Sequence, residues 1–353
     1  MAEEVTLMAG PQRDLGQRDQ SQGIAAAYVR AVGLRLAKAA LTLLVVVVMS
    51  FLLVRLAPGD PALILAGDQG GSDPAFVDEL RHHLGLDGPL HFQLWRYLQN
   101  IAGFDFGISY RDQRPVLYIV LEKVPATLLL TGSAFAFSIV LGVTLGALSA
   151  RRPGSLVDTI ITTVSVAFFA MPMFWVGLVF IIVFAVKLGW LPSYGMETAA
   201  VAARGGWAAL GDRLAHMVLP VLTLGFFYMS VHARVSRTAL LQISALDFVR
   251  TARAKGLSPW RIWRDHLMRN ALLPTITVAS MHAGQLIGGS ILVETVFAWP
   301  GAGRLAFNAL SGRDYNVLLA VFILSSLGVI IANLIADAAY RLVDPRLERK
   351  GRT

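Results

Sequence analysis

Six stretches of this chain run without a single Lys, Arg, Asp or Glu: 39–54, 124–150, 159–186, 214–233, 271–293 and 315–336. A helix needs about 20 apolar residues to cross the hydrocarbon of a bilayer, and soluble helices rarely stay uncharged for so long. The first run is short, but Lys38 and Arg55 flank it and can carry their cationic heads to the two interfaces. Composition agrees. Of the 353 residues 55% are hydrophobic and 15% charged, with a mean hydropathy of +0.60, whereas a soluble domain carries about 25% charged residues. The expectation is an all-α fold, an integral membrane bundle of six transmembrane helices.

The basic residues sit in the gaps between these runs, so the net charge of +8 sets orientation and excludes a nucleic-acid partner. Lys plus Arg number eight in 234–270 and five in 341–353, against three in 187–214 and two in 299–314. Both termini and the 234–270 loop are therefore expected in the cytoplasm, with 57–123 outside. The chain divides into a disordered tail at 1–28, a first span within 29–56, an external helical insert at 57–123, a five-helix core at 124–340 and a tail at 341–353. A cleaved signal peptide is not expected, because the first apolar run starts far in and no small-residue cleavage site follows it. Cysteine is absent, which excludes disulfides, thiolate metal sites and a cysteine nucleophile.

Within the external insert, Asp73-Pro74 offers a cap and a proline at the first helical position, predicting a helix over 75–84 that ends at Gly85. A second is predicted over 90–101, where Leu90, Leu94, Tyr97, Leu98 and Ile101 recur at helical spacing. Trp95 and Tyr97 suit the membrane interface.

The loop at 239–270 holds the richest local pattern. Ser244 to Asp247 resembles a capping box, Gly256 stops the helix it opens, and Ser258 with Pro259 starts another whose Trp260, Trp263 and Leu267 share one side. Residues 234–270 bear eight basic and two acidic side chains. Such an element either lies on anionic lipid or docks another protein.

The run Asp247-Phe-Val-Arg-Thr-Ala-Arg-Ala-Lys-Gly-Leu257, continuing to Arg269-Asn-Ala-Leu-Leu-Pro274, resembles the EAA loop of ABC importer permeases. Its variant resembles that of the dipeptide, oligopeptide and nickel permeases. The EAA triplet corresponds to Arg250-Thr251-Ala252, so only its alanine is kept. Further likeness lies in Leu56-Ala-Pro-Gly-Asp-Pro-Ala62, in Leu84-Gly-Leu-Asp87 with Gln93 and Trp95, and in Gly107-Ile-Ser-Tyr110. Near the end it continues in Glu294-Thr-Val-Phe-Ala-Trp-Pro-Gly-Ala-Gly-Arg-Leu305, Arg313-Asp-Tyr315 and Asp344-Pro-Arg346. Phe104 stands where that family carries glycine, and Asn316 where proline is usual.

The resemblance implies a bacterial inner (plasma) membrane permease forming half of a pore for peptides, glutathione, nickel complexes or similar small solutes. It implies a homologous second permease, two cytoplasmic ATPase subunits, an external solute-binding protein and surrounding lipid as partners. The ATPase contact it implies comprises Asp247, Phe248, Arg250, Thr251, Ala252, Arg253, Lys255, Gly256 and Leu257. Phe248, Ala252 and Leu257 are expected to face the ATPase groove, and Arg250 and Arg253 its rim.

No G-x-x-x-x-G-K-[ST] run occurs, so ATP and Mg belong to the partner subunits and this subunit is expected to hold no cofactor and to be no enzyme. No span holds a midplane carboxylate, which disfavours the rival reading, an ion-coupled secondary transporter. His216 and His282 read as hydrogen-bonded packing residues. Gly142-xxx-Gly146 and Gly284-xxx-Gly288 read as close helix contacts inside the bundle, Met171-Pro172 as a kink or break, and Glu294 and Asp337 as residues near interfaces.

Overall fold

The computed structural model describes residues 33–34, 37–53, 63, 73–83 and 88–343. The 1–28 tail, the 56–62 motif, the 84–87 motif and Asp344-Pro-Arg346 lie outside them. The described chain is mainly helical, with one isolated bridge between Ile108 and Pro115, and the described residues of each of the six apolar runs fall largely in helix.

The first run forms α1 (Ala37–Leu53). The two insert helices appear as α2 (Pro74–His83) and α3 (Leu90–Ala102). The Asp73 carboxylate accepts the Ala75 N–H at 3.1 Å, as a cap should. Next come α4 (Val116–Arg151), α5 (Leu156–Ala170) and α6 (Met173–Phe180), the last continuing in wide π turns over Ile181–Lys187. After α7 (Gly206–Ser244) and the short α8 (Asp247–Ala254), a turn at Pro259–Arg261 leads through π turns at Ile262–Met268 into α9 (Arg269–Val296). Helices α10 (Ala302–Ser311) and α11 (Tyr315–Val343) complete the chain.

Two of the apolar runs are not straight spans. Between α5 and α6 the axis turns by 106°, and between Gln285 and Ser290 of α9 by 57°. The first break falls at Met171-Pro172. Proline lacks the N–H that would continue the ladder, and Met171 adopts extended dihedrals because a residue before proline is pushed out of the α region. A broken helix, rather than a gentle kink, is the result.

The bundle is organised around α4 and α7, which share the most extensive helix contact in the described chain. Their backbones meet because glycine removes the side chain at the crossing. A Cβ on Gly142 would sit 2.6 Å from the Cβ of His232 and 2.9 Å from the Met229 carbonyl. Gly146 lies equally tight against Ala233 and Ser236. Both glycines of this motif pack within the chain, as expected. In the second motif Gly284 meets Val329 and Asn333 of α11, while nothing lies within 4 Å of a Cβ on Gly288. The core above the α4–α7 crossing gathers Leu130, Ala134, Leu219, Leu224, Tyr228, Val293, Phe297 and Trp299. The outer surface stays apolar, with Leu41, Val140, Ile182 and Ile335 all exposed.

A polar clasp closes one end of the bundle. Glu294, near the end of its helix, is fully buried among protein side chains. Its carboxyl accepts the Thr127 hydroxyl at 2.8 Å, the Ser290 hydroxyl at 3.2 Å and the Arg304 N–H at 3.0 Å. The last of these belongs to the first turn of α10, where the free N–H groups favour an anion. Side chains on Gly301 or Gly303 would run into this carboxyl, which accounts for the Pro-Gly-Ala-Gly spelling. The Trp299 indole donates to the Ala126 carbonyl at 2.8 Å, tying the same loop to α4.

Two distant motifs meet beside it. Asp314 accepts the Ser109 hydroxyl at 2.5 Å and the Val317 N–H at 3.3 Å, and Asn316 donates to the Ile108 carbonyl at 3.0 Å. Both departures noted in this region have structural roles. Asn316 makes a bond that proline could not, and Phe104 takes the left-handed φ of +58° that glycine adopts more easily.

The seam gives a direct test. Gly142→Val should lower thermal stability in detergent sharply, by the 1–3 kcal/mol or more typical of overpacking. Gly132→Ala, which meets open space, should be neutral or stabilising by up to about 1 kcal/mol. Equal behaviour of the two variants would contradict the crossing described here.

Candidate functional site: the loop between α7 and α9

At the opposite end from the Glu294 clasp, α7 ends at Ser244 and the chain turns into α8. The anticipated capping box does not form. The Ser244 hydroxyl donates back to the Leu241 carbonyl at 2.7 Å, and Leu246 occupies the cap position without a side-chain bond. Ser244 belongs to the last turn of α7, so the helix start moves to Asp247.

Helix α8 is strongly two-faced. Val249 is fully buried and Ala252 is 5% exposed; both pack on Ile262 together with the half-buried Leu257 and Leu267. The other face presents Asp247, Phe248, Arg250, Thr251, Arg253, Lys255 and Gly256 to the surroundings. Leu257 and Ala252 were both expected to face outward; here Ala252 turns in, and the half-buried Leu257 packs beside it. The physical reason is register: Val249 and Ala252 are three apart, and that apolar pair is the one the loop can bury. Phe248, 41% exposed, is left as the apolar protrusion of the outer face. Its ring lies 6.3 Å from that of His266. The outer Arg250–Asp247 pair, at 3.5 Å with both side chains largely in the open, contributes little to stability.

Gly256 ends α8 with φ of +74°, and the space beside it is open. Here the glycine is required by backbone conformation alone. The Lys255 and Gly256 N–H groups close the helix on the Thr251 and Arg253 carbonyls. Ser258 then caps the next turn, accepting the Arg261 N–H at 3.4 Å with Pro259 at its first position, as the sequence implied. From there the chain rises through Ile262–Met268 directly into α9. The second helix of the loop is thus the lower end of a span.

Three contacts fix this platform to the bundle. Trp260 and Trp263 stack with centroids 5.2 Å apart, and the Arg151 guanidinium at the end of α4 lies 4.9 Å over Trp263. Trp263, Leu267 and Met268 pack on Ala147, Leu240 and Ala271. Nearby, Asp158 of α5 is gripped by Arg237 of α7 through a bidentate pair of 2.7 and 2.8 Å. The Ser149 hydroxyl, the Gly154 N–H at 2.8 Å and the Thr162 hydroxyl at 3.4 Å complete its shell. Five donors offset the cost of burying that carboxylate. The sequence carried no signal for it, because Asp158 and Arg237 stand in separate gaps and look like ordinary loop charges.

The histidines divide. His216 donates its Nδ1–H to the Asp212 carbonyl, 2.8 Å away, as a packing residue should. His282 does not follow: its Nδ1 meets no partner, and its ring lies 5.4 Å from that of His232, which the sequence reading passed over. His232 is fully buried with both ring nitrogens unpaired among the described residues. Asp337 sits in the part of α11 beyond residue 335, whose side chains lie outside the described residues. Among the described residues no cluster of three or more acidic, His or Cys side chains gathers to hold a metal.

A multi-helix membrane bundle with a two-faced helix on a basic loop is the architecture of a transport permease, and comparison with known proteins places it further. Residues 142–349 match the family described as binding-protein-dependent transport system inner membrane component, and 29–131 match its N-terminal companion model. The chain belongs to that family. It is 38% identical over 321 residues to the di/tripeptide transport system permease protein DppB of Pseudomonas aeruginosa, covering 86% of this chain and 94% of that one. It is 37% identical over 309 residues to the glutathione transport system permease protein GsiC of Escherichia coli K12, covering 88% and 95%. Among solved structures it superposes on an inward-facing form of the MetNI methionine ABC transporter with a TM-score of 0.52 at 23% identity, over 65% of this chain and 97% of that one. The overlap supports the permease fold.

The inward-turned alanine makes a prediction. Ala252→Trp has no room against Ile262 and should undock α8, increasing trypsin cleavage at Arg253 and Lys255 several-fold in the purified chain. Thr251→Trp, on the open face, should leave cleavage unchanged. Protection of Ala252→Trp equal to wild type would overturn the register assigned to α8.

Proposed function

We propose that this chain forms half of the translocation pore of an ATP-driven importer of peptides or similar small solutes, and that the open face of α8 couples it to a cytoplasmic ATPase. The observation that carries this reading is a short helix with its apolar side buried and its other side free, mounted rigidly on the ends of α4 and α9. Such an element transmits displacement because it cannot bend away from its mount. Its exposed Phe248 offers the apolar centre of a contact, and Arg250, Arg253 and Lys255 offer a basic rim whose charges orient more than they bind. Ala252 supports this face from behind.

Membership of the family supports this reading of the partners. A second, homologous permease supplies the other half of the pore, two ATPases bring ATP and Mg, and an external binding protein delivers the solute. The basic loops put the α8 end and both termini in the cytoplasm and α2, α3 and the Glu294 clasp outside. The relatives named for di/tripeptide and glutathione transport support a substrate with a peptide backbone.

Gly256 tests coupling separately from folding. Its φ of +74° with open space around it makes Gly256→Val a purely conformational insult, costing about 1–3 kcal/mol locally. The variant should insert and assemble normally, yet lose most of the ATP hydrolysis that the loaded binding protein stimulates. Near-normal stimulation in an intact complex would remove this loop from the mechanism.

A further inference from the structure

Helix α7 carries two arginines one turn apart in opposite situations. Arg237 is locked to Asp158. Arg234 is exposed, and among the described residues no carboxylate lies within ion-pair distance of it. Its guanidinium lies instead 4.6 Å over the ring of Phe169.

The direction of that reach is informative. Phe169 stands 11 residues beyond Asp158 on α5, about 16 Å further along the helix axis, while the Arg234 backbone is only about 4.5 Å from that of Arg237. Phe169 also stacks on Phe227 with centroids 5.6 Å apart, and Phe227 is ten residues, or about 15 Å, from Arg237 along α7. The Arg234 side chain thus runs away from the loop end of α7 and into the depth of the bundle. An arginine that merely ended a span would snorkel the other way. Side chains on a helix lean toward its N-terminus, which sets the direction, and the aromatic face holds the cation there.

A cation at this depth needs water or an anion. The neighbouring backbone points the same way. Phe169 lies two residues before the break at Met171-Pro172, and irregular backbone at membrane depth is tolerated only where protein covers it or a watered cavity meets it. Phe169, Val166 and Trp175 remain 44%, 47% and 47% exposed in the chain by itself.

We infer that Arg234, seated on Phe169, is an anion-binding subsite on the translocation path and receives a carboxylate of the passing solute. Stacking on the ring occupies the flat face of the guanidinium and leaves its N–H edge free, the edge that binds a carboxylate in bidentate fashion. That the anion belongs to a transported solute rests on the importer reading; that Arg234 holds an anion-attracting position in water does not.

The test has two arms, and both use the chain assembled with its second permease and ATPases. In the first, Val166→Cys, one helical turn from Phe169, provides a single thiol in a chain without cysteine. Its rates of reaction with an anionic and a cationic methanethiosulfonate are compared. The thiol should react with both reagents. Arg234→Gln should reduce the anion-to-cation rate ratio by about tenfold, the effect of one charge a helical turn away acting oppositely on the two reagents, and Arg234→Lys should preserve it. A thiol that neither reagent reaches, or a ratio indifferent to Arg234→Gln, would overturn the inference; the former would mean that lipid or the second permease covers this face.

The second arm measures uptake into proteoliposomes of a dipeptide and of its C-terminal amide. Arg234→Gln should depress uptake of the free acid selectively, and an equal loss for both would overturn the carboxylate assignment. If the wild-type importer moves neither peptide, the peptide reading of the substrate fails, while the labelling arm still decides the role of Arg234.

Discussion

The close approach of α4 and α7 at Gly142 and Gly146 sets the spacing of everything around it. In a bilayer, lipid tails are as apolar as leucine, so burying leucine between helices gains little and contact geometry decides which helices pair. With backbone against backbone, Ser149 at the foot of α4 and Arg237 on α7 come within reach of Asp158 on α5, and the three helices lock at that end. At the other end Thr127 and Ala126 of α4 hold the Glu294 carboxyl and the Trp299 indole. The bundle is therefore closed by polar clasps at both ends and by steric fit in between.

That arrangement holds in place the helix of eight residues proposed as the coupling element. On its own α8 would be far too short to persist in water. Val249 and Ala252 give it a mount on Ile262, and Trp263 carries that mount to α4 through Arg151 and to α7 through Leu240. A displacement applied to its open face has no soft joint in which to dissipate before it reaches α4, α7 and α9. The breaks lie higher, at Met171-Pro172 and between Gln285 and Ser290, where the backbone is free of the regular ladder.

Much of this was legible in the residues. Uncharged runs located the apolar helices, Asp73-Pro74 and Ser258-Pro259 marked helix starts, and Gly256 marked the end of α8. Each of these is a local property, written in adjacent residues. The features that escaped depend on residues far apart. Asp158 and Arg237 looked like loop charges until folding paired them, and nothing nearby in sequence announced that the Thr127 hydroxyl would bond Glu294. Ala252 failed for a subtler reason: a two-faced helix of eight residues has an apolar side that either its own chain or a partner can bury, and only the position of Ile262 decides between them.

In the proposed mechanism ATP hydrolysed by partner subunits, rather than an ion gradient, drives solute through a pore to which this chain contributes half. The most direct measurement is uptake of a labelled dipeptide by proteoliposomes containing the complete importer and its binding protein, with ATP supplied or withheld on the ATPase side and ionophores present throughout. Uptake that requires ATP and ignores the ionophores is predicted. Uptake that proceeds without ATP and collapses when the ionophores dissipate the gradients would contradict it.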